Sequence, residues 1–285
     1  LTEIYSEQIW QEKQAAHEAR AEDRLQRFRH PGSYHPVHDF LFSYYPVRPS
    51  HLRKWHPGIG VALEGNPPHE QWRDYTRTND GVTVNLDTLW PRRGDSFLYI
   101  RKLLANTRQR PAQFDCFGLH EWAMCYKTDQ PRHDLPLRLG AEGTNEVVET
   151  HKIRCSHYDA FRFFTPPARP LNLRVLTRED QPDTEQAGCV HATMDLYKWA
   201  WKLGPLVPGD VFLDCLDLAI DARTLDMEAS PYDCRDWGYG VVAIETPEGK
   251  AEYVRRQREL SERGDPLRQR LVGLIDAADP ATIKR

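Results

Sequence analysis

His191 and Asp195 stand four residues apart in Cys189–Ala200 (CVHATMDLYKWA). On a helix that spacing stacks the two side chains on one face. Such a pair can chelate one ion, as in the paired ligands of helical metal sites; it can equally form a hydrogen bond inside a packed helix pair. His120-Glu121 lies within Phe117–Met124 (FGLHEWAM). An imidazole and a carboxylate enclosed by Phe, Leu, Trp and Met are costly to bury without partners. Helix neighbours point about 100° apart. One residue is therefore expected to ligate while the other orients it, or Glu121 serves as a general base; a core histidine beside a surface glutamate is the alternative. Position 124 is Met, so the His-Glu-x-x-His pattern of zincins is not met.

His157 belongs to Ser156–Phe164 (SHYDAFRFF), His38 to Pro36–Tyr45 (PVHDFLFSYY), and His56 to a Trp-His-Pro-Gly turn. Taken singly, each is more often a core or turn histidine than a ligand. Their shared aromatic setting points to convergence. The expected metal ligands are His120, His157, His191 and Asp195, with Glu121 as the catalytic base or a further ligand. His38, Tyr45, Arg48, Trp122 and Trp199 are expected to face a small-molecule substrate in an apolar pocket. Arg48, Arg53 and Arg162 would pair with Asp39, Asp159 or Glu121, or bind a substrate carboxylate or phosphate. His17, His69 and His133, among charged or proline-rich neighbours, are expected at the surface. Mixed His and carboxylate ligands suit a divalent metal, and without a thiolate cluster iron is favoured over zinc or manganese. The reaction implied is an oxygen-dependent oxidation. No Gly-x-Gly-x-x-Gly, Walker-type loop or Gly-x-Ser-x-Gly elbow occurs.

The elements that must position these groups read as a mainly α, single-domain, helical bundle-like fold with a few short strands. Residues 3–29 form a charged helix with sparse apolar positions, ended by His30-Pro31-Gly32. This 1–30 arm is expected to lie across the 31–285 body or against another subunit, which would make a homo-oligomer. Residues 94–108 are helical, a second helix starts after Pro111 and carries Phe114 to Tyr126, and 128–172 is loop-rich. Short strands are expected at Val82–Leu86 and Leu171–Leu176. Helices are expected over 188–203 and from Pro208 to about Leu225. Thr246-Pro247-Glu248 starts the last long helix, which Gly264-Asp265-Pro266 breaks. Asp210, Asp214, Asp217 and Asp221 share one narrow stripe, which is a solvated face or one met by Lys or Arg side chains.

The 285 residues, 40% hydrophobic and 28% charged, make an ordinary globular composition. No apolar run reaches the roughly 20 residues of a membrane-spanning helix. The start, Leu1-Thr2-Glu3-Ile4, lacks a basic stretch followed by an apolar one, so no signal peptide is expected. Six cysteines without a Cys-x-x-Cys pair read as reduced thiols of a cytoplasmic protein. A formal charge of −4 points away from a nucleic-acid partner.

His35–Gly58 (HPVHDFLFSYYPVRPSHLRKWHPG), Phe117–Met124, His157–Pro166 (HYDAFRFFTP) and Cys189–Ala200 resemble a bacterial protein family. Its members often carry the label 3-methyladenine DNA glycosylase, and the similarity spans most of the chain after residue 30. The resemblance implies hydrolysis of an N-glycosidic bond, with Asp195 or Glu121 stabilising an oxocarbenium-like transition state and Trp or Tyr stacking on the base. The Leu-x-Gly-x-Gly hairpin of helix-hairpin-helix glycosylases does not occur. A third reading is a binding or scaffold protein whose histidines complete the core.

Overall fold

The computed structural model describes residues 2–29, 32 and 35–283. A strand, β1 (Glu3–Tyr5), leads into α1 (Glu7–Phe28), and α2 (Phe40–Ser43) and α3 (Pro49–Arg53) are short turns of helix. Three strands follow, β2 (Val61–Leu63), β3 (Tyr75–Thr78) and β4 (Gly81–Val84), and then α4 (Leu86–Gln109). The middle of the chain holds α5 (Leu119–Met124), α6 (Gly140–Thr150), α7 (Tyr158–Phe161) and α8 (Gln181–Thr184). The last part is α9 (Val190–Leu203), α10 (Gly209–Glu228), α11 (Pro247–Ala278) and α12 (Pro280–Ile283). The fold is mainly α with a few short strands.

The N-terminal arm differs from the continuous helix expected. Residues 3–5 pair in parallel with β2, Glu3 opposite Val61, and Ser6 then caps α1 by accepting the Ile9 N–H. The turn expected at His30-Pro31-Gly32 lies, except for Gly32, outside the described residues. Trp10, His17, Ala21 and Leu25 form the buried stripe of α1 against the body. On α10 the acidic stripe is met by arginines: Arg20 reaches Asp214 (2.6 Å) and Asp217 (2.9 Å), Arg24 reaches Asp217 (2.6 Å), and Arg263 reaches Asp221 (2.7 Å). These pairs are partly exposed, so each contributes about 1 kcal/mol or less. They orient the arm; the apolar stripe holds it.

The sheet has the order β1-β2-β4-β3. Only β4 overlaps a strand expected from sequence; β2 has three residues and β3 is polar (YTRT), too short a pattern to read. Gly81, at φ +126°, opens β4 where a Cβ would meet the Leu63 carbonyl oxygen at 2.5 Å. No strand forms over 171–176. Ile153 bridges Asn172 alone, and Leu173 and Val175 are exposed.

The core surrounds α9, in which every residue from Val190 to Ala200 is buried. A helix buried on all sides needs neighbours all round, and α4, α10 and α11 supply them. The expected break in α11 does not occur: the helix is continuous through Pro266. A Cβ at Gly264 would lie 3.5–3.7 Å from Leu196, Leu218 and Thr193, so this side of α11 packs on α9 and α10, and that packing outweighs the local cost of proline. Pro266→Ala is therefore expected to stabilise the protein by about 1–3 kcal/mol. Thermal unfolding would show it as a raised midpoint, and a lowered one would count against the explanation.

Candidate metal centre

Three turns of backbone bring the chemistry to α9. Phe117 (φ +50°) and Gly118 (φ +73°) are both left-handed and reverse the chain into α5, all six residues of which are buried. No helix forms over 111–118, where one was expected to start after Pro111; the strained turn delays it to Leu119 and aims His120 and Glu121 at α9 and α10. A left-handed non-glycine residue costs about 1–2 kcal/mol, and such strain is concentrated at functional sites. His157 caps α7, its Nδ1 accepting the Ala160 N–H at 3.2 Å. Glu185 follows α8 directly. From α9 come His191, Asp195 and Lys198, and from α10 Arg223 and Asp226.

Two ligand groups result. His120, Glu121, His191 and Asp226 offer ligand atoms that all lie within 4.8 Å of one another, and His157, Glu185 and Asp195 do the same. All seven residues are buried. The groups adjoin: the His191 ring stands 4.4 Å from that of His120 and 5.3 Å from that of His157, centroid to centroid. A cavity of about 20 Å³ touches Glu121 and His191 of one group and His157 and Asp195 of the other. That is room for one water-sized guest. Its outer wall is Phe40, Tyr44, Tyr45 and Phe163, with Arg132 over the Phe163 ring at 3.9 Å.

In the first group His120 Nε2 lies 2.8 Å from Asp226 Oδ1, and Arg223 donates to Asp226 Oδ2 at 2.9 Å. The same Arg223 nitrogen is 3.6 Å from Glu121. His191 Nε2 is 3.7 Å from Asp226 Oδ2, beyond hydrogen-bond range, and His191 Nδ1 has no partner among the described residues. Burial raises the Glu121 pKa, and Asp226 adds to the rise. Burial opposes a charged His120, but Asp226 outweighs it and raises that pKa well above the usual value. Burial pushes His191 well below it. Two carboxylates thus face one guanidinium, and the proton that Asp226 favours on His120 supplies the remaining positive charge. A divalent cation supplies the same compensation by displacing that proton.

The second group already carries its own cation. Asp195 accepts from Lys198 (2.8 Å), His157 Nε2 (3.0 Å) and the Tyr45 hydroxyl (2.6 Å), while Glu185 accepts from Gln181 (2.7 Å) and lies 3.3 Å from His157 Nε2. Burial opposes the charge on Asp195, yet Lys198 and His157 hold its pKa well below the carboxylate range. Because His157 Nδ1 accepts a backbone N–H, its proton sits on Nε2, facing the carboxylates. A metal-ligating histidine donates from its second nitrogen; His157 cannot do so toward another donor. This group therefore acts through hydrogen bonds. Tyr45→Phe is expected to cost about 1–3 kcal/mol, as a buried bond to a charged acceptor is lost; denaturant unfolding with no measurable change would dismiss that bond.

The structure separates the i, i+4 pair by partner: His191 joins His120, and Asp195 joins His157. Of the residues expected to meet substrate, only Tyr45 lines the cavity. His38 bonds to Thr224 (3.3 Å) and Tyr239 (2.9 Å), Trp122 donates to the Ala229 carbonyl (2.9 Å), Trp199 lies under Lys198, and Arg48 is exposed. Arg162 pairs with Asp159 (3.2 Å) as expected, whereas Arg53 pairs with Glu22 (2.7 Å). His17, His69 and His133, expected at the surface, are buried, because α1 and the loops around Trp55 and Tyr232 cover them. Sequence reasoning missed Asp226, Glu185, Arg223 and Lys198. One signal was present: Arg223 and Asp226, three apart, lie off the acidic stripe, on the apolar side of α10.

Comparison with known proteins adds no assignment to this geometry, since no family model, curated protein or solved structure matches the chain.

Proposed function

We propose that the chain is a metal-dependent enzyme that holds one divalent ion through His120, His191 and Asp226. Glu121 is the fourth ligand or the base, and the substrate is a small molecule. The observation that carries this reading is the convergence of four buried ligand atoms from α5, α9 and α10 within 4.8 Å, one of them belonging to His191, whose Nδ1 has no hydrogen-bond partner among the described residues. Two imidazoles with carboxylate oxygen suit iron, manganese or zinc, and we favour iron and oxidative chemistry because no thiolate joins the set. When bound, the ion supplies Lewis acidity or electron transfer. The chain's own residues do the rest. Arg223 fixes Asp226, Tyr45 and His157 hold Asp195 at the cavity wall, and the aromatic wall keeps water out. A cavity of about 20 Å³ admits no substrate unless the wall of Tyr44 and Phe163 opens. The test is metal analysis and reconstitution with Fe(II), Mn(II) and Zn(II). One ion per chain, lost in His191→Ala, supports the reading; sub-stoichiometric binding of all three, without activation or thermal shift, ends it.

A second reading rests on a different contact. Half-buried Cys116 places Sγ 3.4 Å from His120 Nδ1, while His120 Nε2 faces Asp226. Thiol, imidazole and carboxylate in that order are the arrangement of a cysteine nucleophile. Metal binding that survives Cys116→Ala separates the two, because the thiol is no ligand in the first reading.

A further inference from the structure

Arg268 stands on the buried face of α11 in line with Leu260, Gly264, Leu271 and Ile275, and its side chain is 0% exposed. Its Nε, Nη1 and Nη2 all lack a hydrogen-bond partner, and among the described residues no carboxylate oxygen comes within 4.0 Å of it. Among the described residues no aromatic ring lies beneath the guanidinium. The charges that act on it are Asp265, Glu185 and Arg108. Each carboxylate is already engaged: Asp265 accepts from Arg108 at 2.9 Å, and Glu185 accepts from Gln181 at 2.7 Å. One turn earlier a Cβ at Gly264 would touch Leu196, Leu218 and Thr193 at 3.5–3.7 Å, so α9 and α10 pack close on that side.

Arginine cannot shed its proton in a protein. A buried lysine or carboxyl group can neutralise itself; this group stays charged. Leaving it unpaired is among the costliest arrangements a fold can contain. Five N–H donors in one plane are the geometry that recognises a small anion from the side.

We propose that Arg268 is the floor of a buried anion site in the interior formed by α4, α9, α10 and α11, occupied by one small monovalent inorganic anion of halide or bicarbonate size. The ion supplies the missing counter-charge and acceptors. It makes the stability of the four-helix core depend on which anion is present, independently of any metal at His120 and His191.

The probes are chloride, bromide and gluconate at constant ionic strength, gluconate being too large to enter. The thermal midpoint of the full chain is expected to rise saturably by about 5 °C from millimolar to hundred-millimolar bromide or chloride, with no rise in gluconate. In crystals soaked in bromide, an anomalous peak should lie within about 3.5 Å of the guanidinium nitrogens. Arg268→Met is expected to fold and to lose the anion response. If that variant does not fold, the wild-type titration and the bromide position still decide. Equal midpoints in all three salts, or density showing only water linking Arg268 to Glu185, would overturn the proposal.

Discussion

Asp226→Ala is expected to lower the unfolding free energy by about 3–5 kcal/mol and to abolish metal binding. Asp226 is 0% exposed and is the one acceptor shared by His120 and Arg223. Without it Arg223, itself 0% exposed, keeps its charge with no carboxylate nearer than Glu121 at 3.6 Å among the described residues, and with the Val37 carbonyl, His133 and the Phe40 ring as its other neighbours. A loss of this size is a large part of the 5–15 kcal/mol that holds a domain folded. Asp226→Asn keeps the shape and a hydrogen-bond acceptor, so it should cost less stability while still removing the ligand charge. Asp217→Ala is the control, since its arginines stay partly solvated and the cost is about 1 kcal/mol. Urea unfolding of the three variants checks the order; an Asp226→Ala midpoint close to wild type would refute the central role given to this carboxylate.

Mild acid should unfold the protein well before the depressed carboxylates Asp195 and Asp226 titrate. Burial lowers the pKa of His69 to about 4 and of His56 and His133 to about 3, and it also lowers His17 and His191. For each, the folded value lies below the unfolded value of about 6.5, so the unfolded chain takes up protons first as pH falls. Their stabilising effect is complete above about pH 6.5 and is lost as pH drops through the folded values. His69 alone loses about 3 kcal/mol by pH 4. His120 and His157 act in the opposite sense, because their raised values give stability that is present below about pH 6.5 and lost as pH rises. With His51, which burial also lowers, six lowered against two raised makes acid the losing direction. Asp195 and Asp226, both depressed, add a further loss only below about pH 4. Tryptophan fluorescence and far-UV circular dichroism against pH should show the transition between about pH 6 and 4, and His69→Gln should move it downward. A constant thermal midpoint over that range would contradict the assigned burial.

Local patterns in the chain determined the helices and much of the site. Thr246-Pro247, the apolar run through α9 and the polar periodicity of α1 depend on contacts within a few residues, and such contacts are present in the sequence itself. His120, Glu121, His157, His191 and Asp195 were legible as site residues because imidazoles and carboxylates in aromatic segments have to be satisfied by something. Which partner satisfies each was beyond local reading. His191 and Asp195 share a helix face, yet His191 stands beside His120 and Asp226, 35 residues further on, while His157 and Lys198 bond to Asp195. The same limit explains His17, His69 and His133, whose polar neighbours in sequence are not their neighbours in space, and α11, where packing on Gly264 overrides the proline. Spacing along a helix decides which side chains look the same way; only the folding of α5 and α10 onto α9 decides what they meet, because desolvation and Coulomb energy depend on distances across elements and not on distance along the chain.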